Sequence, residues 1–346
     1  MAQVAGLAGV SVMTVSYAYS RPDRVSPETA AKVRAAAAEL GYPGPHPTAR
    51  SLRRGRVGSL GIVIGERLTY AFDDPQAARF LAGVAEVCAA EGVGLTLVPT
   101  TGQDSDTARV LDAAVDGFVI WTTTDDDPVL DAVIATGLPA VIQAGPYRTG
   151  LPVVGMDDRA AATAIGRVAF AGARRPAVLS FPLDRDRRRQ LLPGSASTGI
   201  AYPVTRHRWQ GFAAAWTQLG GAVDQLRLAV CPDNSAADGE AVCRELLACE
   251  RPPDAIVAMS DELAFGALRA AARAQIAVPG ALAITGWDDS EAASAAGLTS
   301  VAQSLRGQGI RCAQLALGKA APAKDDARAS WRVIERRTTR PSPRED

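Results

Sequence analysis

The sequence predicts an N-terminal all-α helix-turn-helix domain followed by an α/β core of two doubly wound parallel-sheet subdomains. Three observations support this fold class. Helix start and stop signals crowd the first 43 residues, short apolar runs alternate with helical stretches from residue 60 onward, and a chain of 346 residues is long enough for two or three domains. We therefore expect a small helical unit and a large mixed one.

Three short helices are predicted within residues 2–42. The first, over 2–8, ends at Gly9, which can adopt the left-handed conformation of a tight turn. The second and third begin at Ser11 and Ser26, because a serine side chain caps the free N–H groups of a first helical turn. The apolar residues expected to form the small core between the helices are Val4, Leu7, Val10 and Val15. In the third helix, Val33, Ala37 and Leu40 fall on one face.

The second helix lies in a basic segment of a neutral chain. Through residue 58 there are eight Lys or Arg and three acidic residues, whereas the whole chain has 37 of each kind. Such a segment is typical of a polyanion-binding module, although charge alone also fits a solvated helix surface. In a helix-turn-helix the second helix enters the DNA major groove, where hydroxyl groups meet phosphates and other side chains meet base edges. The outward residues predicted here are Ser11, Val12, Met13, Thr14, Ser16 and Tyr17.

Residues 44–58 are rich in proline and then basic, which predicts a linker. Within them, "PTARSLRR" has the pattern of a short helix, with Pro47 at its start and Gly55 at its end. A helix this short is marginal in water and forms only when something packs on it. An exposed basic linker is therefore the alternative interpretation of this segment.

Eight apolar runs predict strands that are covered on both faces, as in parallel sheets. Helical stretches lie between the runs, and their number suits two doubly wound subdomains. Ligands of such folds bind outside the carboxyl ends of the strands. The runs are 60–64, 94–99, 117–121, 139–144, 176–181, 226–231, 255–259 and 282–287, and the main helices are expected near 75–91, 158–171, 207–219, 261–274 and 303–318.

Composition and motifs indicate neither catalysis nor a cofactor. The five cysteines are scattered without a C-x-x-C pair, which is typical of reduced, packed thiols, and the histidines are only His46 and His207. No G-x-S-x-G, P-loop or metal-ligand cluster is present in the sequence. There is no signal segment and no apolar stretch of bilayer length, so a cytoplasmic location is expected.

Taken together, several segments resemble the LacI/GalR family of bacterial transcription regulators. They are "AGVSVMTVS", "VSPETAAKVRAAAAELGY" and "ARSLRRGRVGSLGIVI", followed by "VVGMDDRAAATAIGRVAFAGARRPAVLSF", "RHRWQGF", "MSDELAFGALRAA" and "GWDDSEAASAAGLTSVAQ". The likeness follows the family's order over nearly the whole chain.

The resemblance implies a division of the chain. A DNA-binding domain is expected over 1–43, a hinge linker with a hinge helix over 44–58, and an effector-binding and dimerisation core over 59–335 that is similar to periplasmic binding proteins. The expected subdomains are an N-subdomain at about 59–156 and 290–320 and a C-subdomain at about 157–289 and 325–338, before a disordered tail at 339–346.

The resemblance also assigns DNA contacts. Val12, Met13 and Tyr17 correspond to base-reading residues, and Leu52 to a hinge leucine that wedges into the minor groove. Tyr17 stands where the family often has an arginine that reads guanine, so the preferred operator should differ. The implied phosphate contacts are Ser11, Thr14, Ser16, Ser26 and Thr29, with Arg50, Arg53 and Arg54 of the hinge, where Ala49 and Leu52 face the partner hinge and the minor groove.

An effector site is implied in the core, where carboxylates and a guanidinium grip ligand hydroxyls. By family position, Asp157, Arg208 and Asp288 form the charged set, and Ser260 and Asp261 stand beside it. Helix capping is the alternative role for Asp157 and Asp261.

Three further effector candidates, Phe72, Asp74 and Trp121, are placed at strand or loop ends of the first half of the core, and Trp121 has the hydrophobic core as its alternative location. The loop "RDRRRQ" at 185–190 has the charge of a second nucleic-acid patch, although a solvated loop is the simpler interpretation.

These features predict a homodimeric transcription regulator, expected to be a repressor, on a palindromic operator. A small-molecule effector, expected to be a sugar or a derivative, would change DNA affinity by reorienting the subdomains. No heptad tail follows the core, so a dimer is expected rather than a tetramer. The alternative is a cytosolic solute-binding or sensor protein whose DNA binding is impaired by a short N-terminus, because family members usually have more residues before the first helix.

Overall fold

The computed structural model of the protein divides the chain into two compact units, Met1–Gly58 and Ser59–Asp346. The predicted fold class is confirmed, because the first unit is helical and the second contains two five-stranded sheets with helices between the strands. The structure describes residues 1–44, 55–103, 105–196 and 199–341.

The predicted hinge falls mostly outside the described residues. Ala49, Arg50, Leu52, Arg53 and Arg54 all belong to the stretch from 45 to 54. The hinge helix and its contacts therefore stay predictions.

Capping sets the bounds of the N-terminal helices. Gly9 ends the first helix at φ 64°. The Ser11 hydroxyl accepts a hydrogen bond from the Thr14 N–H at 3.1 Å, and the Ser26 hydroxyl accepts one from the Thr29 N–H at 3.2 Å. The helices are α1 (Ala2–Ala8), α2 (Val12–Ser20) and α3 (Pro27–Glu39).

The small core of this unit contains Val4, Val15 and Val33, which are at most 1 % exposed. One predicted core residue is wrong, since Leu7 is 48 % exposed, and Leu40, on the apolar face predicted for the third helix, is 43 % exposed. The alanines of α1 and α3 complete the core instead, because small side chains let short helices approach closely. The whole cluster of buried residues is Val4, Ala5, Val15, Val33, Ala36 and Ala37.

The second unit contains two large sheets and a separate antiparallel pair of strands, with the strands numbered in chain order and their bounds given at the end of this paragraph. The large sheets have the strand orders β2-β1-β3-β4-β5 and β10-β9-β6-β8-β7, and the pair is β11-β12. Neighbouring strands of the two large sheets are parallel except β7, which is antiparallel to β8. All eight predicted runs form strands, because continuous apolar residues suit strands covered on both faces. The strands are β1 (Ser59–Ile64), β2 (Gly94–Pro99), β3 (Phe118–Trp121), β4 (Ala140–Gln143), β5 (Val153–Val154), β6 (Pro176–Ser180), β7 (Gln190–Pro193), β8 (Arg227–Val230), β9 (Ala255–Ala258), β10 (Ala283–Thr285), β11 (Ser300–Ala302) and β12 (Arg332–Ile334).

Helices cover the sheets, and α5 (Pro75–Glu91) packs closely on α13 (Leu305–Ala316). A Cβ added at Gly309 would lie 2.2 Å from the Phe80 carbonyl oxygen, so this contact requires glycine. Within the part of the chain that the structure describes, none of the helices is long and apolar enough to span a membrane. The helices of this unit are α4 (Tyr70–Asp73), α5 (Pro75–Glu91), α6 (Ser105–Leu111), α7 (Pro128–Ala135), α8 (Asp158–Phe170), α9 (Pro203–Gln218), α10 (Ala236–Leu247), α11 (Asp261–Arg273), α12 (Glu291–Ala296) and α13 (Leu305–Ala316).

The predicted disordered tail starts too early at residue 339. Thr339 is only 4 % exposed, and its hydroxyl lies 2.8 Å from the Thr299 hydroxyl. The carbonyl oxygen of the preceding Thr338 accepts a hydrogen bond from the Ile284 N–H at 2.9 Å. Residue 339 is therefore packed against β10 and the loop before β11, whereas residues 342–346 lie outside the described part of the chain.

Candidate ligand cleft and DNA-binding surface

The carboxyl ends of the two parallel sheets face a cleft within the second unit. One wall carries residues that follow β1, β3 and β4, and the other carries residues that follow β6, β8 and β10. Sheets of this topology bind ligands at this edge. The charged residues that line the cleft are Glu66, Asp74, Asp158, Arg187, Arg208 and Asp288.

Arg208 of α9 is 6 % exposed and held on several sides. Its Nε donates to Asp158 Oδ1 at 2.8 Å, and its Nη1 donates to the Met259 carbonyl oxygen. The guanidinium carbon lies 3.9 Å from the ring centroid of Trp287 and 5.5 Å from that of Phe181. The cleft therefore contains a guanidinium in a single well-determined position.

Asp157, which the sequence assigns to the effector site, does not line the cleft. It is exposed and caps α8, since its Oδ1 accepts a hydrogen bond from the Ala160 N–H at 2.9 Å. Asp158 points to Arg208 instead, because neighbouring residues of a helix are rotated by about 100° from each other. Asp157 therefore has the alternative role of a helix cap, and Asp158 supplies the carboxylate that pairs with Arg208.

Asp288 lines the cleft just after β10, at the unusual φ of 110°. A chain of three glutamine amides ends on it. Gln143 Nε2 donates to Gln308 Oε1 at 2.7 Å, Gln308 Nε2 to Gln303 Oε1 at 3.1 Å, and Gln303 Nε2 to Asp288 Oδ1 at 2.7 Å. Burial, and then the nearby Asp261 carboxylate, raise the pKa of Asp288 well above its ordinary value. These glutamines carry no sequence pattern, so sequence reasoning missed them.

Asp74 also lines the cleft, and it caps α5 at the same time. Its Oδ1 accepts hydrogen bonds from the N–H groups of Gln76 and Ala77, each at 2.8 Å, and its Oδ2 accepts one from the Asn234 side-chain amide. Burial raises the pKa of Asp74, although these hydrogen bonds favour its ionised form. One carboxylate thus joins the two walls of the cleft through Asn234.

Glu66 and Arg187 form an ion pair between the two walls, and neither was predicted from the sequence. The pair is nearly buried, with side-chain exposures of 9 % for Glu66 and 13 % for Arg187. The same guanidinium donates to Asp233 Oδ1 at 2.9 Å and to the Pro232 carbonyl oxygen at 3.0 Å. Burial raises the pKa of Glu66, and the Arg187 charge opposes that shift.

The other arginines of "RDRRRQ" are also paired with carboxylates. Arg185 pairs with the buried Asp127, which caps α7, and Arg188 pairs with its near neighbour Asp186 at 2.8 Å. Arg189 pairs with Glu245 at 2.8 Å. The loop therefore presents neutralised arginines rather than free cations for a nucleic acid.

Trp121 lies in the hydrophobic core and also lines the cleft, whereas Phe72 does not line the cleft. Trp121 is 5 % exposed, with its ring 4.7 Å from that of Phe80, and it also lines the cleft. Phe72 is 67 % exposed and does not line the cleft, because on the short helix α4 it points away from Tyr70, which does.

Ser260 and Asp261 lie behind the cleft rather than in its wall. Ser260 caps α11 and donates its hydroxyl hydrogen to Asn234, so it supports the amide that reaches Asp74. Asp261 accepts hydrogen bonds from the Ser290 N–H at 2.8 Å and the Ser300 hydroxyl at 2.7 Å. Asp261 therefore fixes the segments around β10 and β11 and is neither a cap nor part of the cleft lining.

On α2 of the first unit, the first turn presents apolar side chains to solvent. Val12 is 47 % and Met13 is 64 % exposed, and Tyr17 is half-buried. Ser11 and Thr14 flank them, with their hydroxyl oxygens 2.9 Å apart.

Ser16 does not belong to this outward surface, contrary to the prediction. It is only 6 % exposed, because it follows Val15 on the side of α2 that packs against the other helices.

The start of α3 carries a second hydroxyl pair. The Ser26 and Thr29 oxygens are 2.8 Å apart, and both residues lie in the first turn. N-terminal turns with free N–H groups and hydroxyls are suited to phosphate oxygens. Four of the predicted phosphate contacts, Ser11, Thr14, Ser26 and Thr29, thus lie at the starts of two helices.

Comparison with known families finds two matches along the chain. Residues 1–44 match the family described as bacterial regulatory proteins, lacI family, and residues 195–339 match the periplasmic binding protein-like domain.

Several known proteins are similar to this chain over almost its entire length. The HTH-type transcriptional regulator Rv3575c of Mycobacterium tuberculosis is 38 % identical over 322 residues, which is 92 % of this chain and 90 % of that protein. A LacI family transcriptional regulator from Corynebacterium glutamicum, solved by crystallography, is 30 % identical with a TM-score of 0.74 over 98 % of each chain. The structure of the regulator CelR with cellobiose is 26 % identical with a TM-score of 0.65, over 97 % of this chain and 98 % of that one.

Proposed function

The chain belongs to the LacI family of bacterial regulatory proteins and is a transcriptional regulator, and we propose that it is a repressor which binds a palindromic operator as a homodimer. The observation that supports this proposal is the exposed first turn of α2, together with the hydroxyl pairs at the starts of α2 and α3. A regulator of this kind acts in the cytoplasm, where the bacterial chromosome lies, and we assign no catalysis to it.

The contacts expected on DNA follow from the chemistry of this turn. Val12 and Met13 suit the methyl groups and apolar edges of bases, and the hydroxyl pairs beside them suit phosphate oxygens. One such helix reads only a few base pairs, so a specific site needs two copies of the domain. A symmetric dimer then requires a site with two-fold symmetry.

The cleft is the proposed effector site. Its carboxylates and the fixed Arg208 can bind several hydroxyl groups, and Trp121 and Phe181 offer apolar faces for a sugar ring. The complex of the similar regulator CelR with cellobiose supports a sugar or a sugar derivative as the ligand. Binding between the two sheets would favour one relative orientation of the subdomains and so change operator affinity.

Selection of DNA from a random duplex library by the purified full-length protein tests the proposal. We expect enrichment of a sequence with two-fold symmetry, and a two-to-one ratio of protein chains to duplex by sedimentation. A panel of sugars that includes cellobiose should then contain a compound that alters the affinity for the selected duplex. Ligand binding without any enriched duplex would instead support the alternative of a sensor that does not bind DNA.

A further inference from the structure

Both guanidinium groups of the cleft already have carboxylate partners. Arg208 is paired with Asp158, and the exposures of the two side chains are 7 % and 4 %. Arg187 is paired with Glu66 and with Asp233, and its Nε donates to a carbonyl oxygen. Each guanidinium charge is therefore already balanced by a nearby carboxylate, which weakens its attraction for an incoming anion.

Two more carboxylates, Asp74 and Asp288, line the cleft. Neither Asp74 nor Asp288 takes part in an ion pair among the described residues, and their hydrogen bonds come from amide groups. The cleft lining thus carries four carboxylates and two guanidinium groups. Neither guanidinium of this lining lacks a carboxylate partner that could be replaced by a phosphate or carboxylate of a ligand.

The same groups suit neutral hydroxyls. A hydroxyl can donate to Asp74 or Asp288 and accept from a neighbouring amide or guanidinium N–H. Gln143, Gln303 and Gln308 add amide groups along one wall. A ligand with many hydroxyls and no charge can satisfy donors and acceptors together, whereas an anion satisfies only the donors.

We propose that the cleft selects an uncharged polyhydroxyl ligand over its phosphorylated or carboxylated forms, and that Glu66 determines this specificity by neutralising Arg187. The inference rests on the proposed effector-binding function and deepens it. Glu66 acts through Arg187, and without its charge the one carboxylate left to the guanidinium among the described residues is Asp233, whose side chain is 42 % exposed. A partly freed arginine in the cleft is then able to bind an anion.

The test uses inorganic phosphate as the probe, read by tryptophan fluorescence and thermal shift on the full-length protein at constant ionic strength. Wild type should show no saturable phosphate response. Glu66→Gln should bind phosphate at least about tenfold more tightly than wild type, and Glu66→Asp, which keeps the charge, should behave like wild type. The matched control is Asp127→Asn, since Asp127 pairs with Arg185 of the same loop but neither residue lines the cleft.

Two results would overturn the inference: saturable phosphate binding by wild type that Arg187→Met abolishes, or a folded Glu66→Gln protein with no gain in phosphate affinity. A second measurement on wild type does not depend on the variants folding. Glucose, ribose, mannitol and cellobiose are compared with the monophosphates of the first three, and a phosphorylated compound that stabilises the protein more than its neutral counterpart contradicts the proposal. Retained binding of the selected duplex by Glu66→Gln shows whether the regulator function stands independently of this specificity.

Discussion

Arg208 Nε lies 2.8 Å from Asp158 Oδ1, and this contact joins α9 to the first turn of α8 at the edge of the cleft. Both side chains are buried, and the guanidinium is stacked on Trp287 at 3.9 Å. A buried charge that loses its partner is costly, because neither water nor another ion replaces the lost contact. This pair therefore stabilises the fold and also holds the Arg208 guanidinium at the cleft.

Asp158→Asn should destabilise the protein strongly. It removes the hydrogen-bonded ion-pair partner of the buried Arg208 charge, so we expect a loss of about 3–5 kcal/mol in the free energy of unfolding. The matched control is Glu86→Gln, which breaks an exposed pair with Arg306 and should cost less than about 1 kcal/mol. Urea unfolding followed by circular dichroism measures both, and equal losses in the two variants would contradict the buried-pair argument.

Asp288→Asn should change how stability depends on pH. The pKa of Asp288 is raised in the folded protein above the ordinary value of 3.8, so between those two pKa values the folded state binds more protons than the unfolded chain. Rising pH through this window therefore lowers the stability of wild type. The variant has no such proton, so the difference in free energy of unfolding, variant minus wild type, should increase with pH from 3.8 upward and then level off. Urea titrations across this range measure it, and a flat or falling difference would refute the assignment.

Met13→Ala should weaken DNA binding without affecting the fold. Met13 is 64 % exposed, so its truncation removes no core contact. If it meets base edges, the loss should be about 1–3 kcal/mol of binding free energy, and it should depend on the base sequence. Fluorescence anisotropy with the selected duplex provides the measurement. Leu40→Ala is the control, because Leu40 is an apolar residue that is 43 % exposed at the C-cap of α3 and is not one of the predicted DNA contacts. Equal affinity losses would show that the effect is not specific to α2.

Gly309→Ala should force α5 and α13 apart. Its Cβ would lie 2.2 Å from a backbone oxygen, which cannot rotate away as a side chain can. We expect a destabilisation of about 1–3 kcal/mol, together with weaker ligand binding because Gln308 precedes this glycine on α13. In the control Gly280→Ala, the nearest atom would be at an ordinary 3.7 Å, and the change should stay below about 1 kcal/mol. Thermal unfolding of both variants measures the two changes in stability, and equal changes would contradict the close approach at Gly309.

Much of the fold was predictable because its signals are local. Ser11 and Ser26 cap the helices that follow them, and the apolar runs form strands at the predicted places. The strands that were missed, β5, β7, β11 and β12, are two to four residues long and lack a continuous apolar run. Their existence depends on a neighbouring strand rather than on their own residues.

The cleft was only partly predictable. Arg208, Asp74, Asp288 and Trp121 were placed by family position or by the ends of strands, and all line the cleft. Asp157 and Asp158 are adjacent and chemically identical, so the sequence offers no means to decide which one caps a helix and which one faces the arginine. That choice depends on the rotation of α8 against α9.

By itself, the sequence determined the helix-turn-helix, the order of strands and helices, and the family. Capping, periodicity and apolar runs act between residues that are close along the chain, so these features are visible without a structure. Only the tertiary structure decided the partners of Arg187, the chain of glutamines that ends on Asp288, and the burial of Ser16. Charge neutralisation and burial depend on residues that are distant in sequence and meet only when the two sheets come together around the cleft or when the three helices pack.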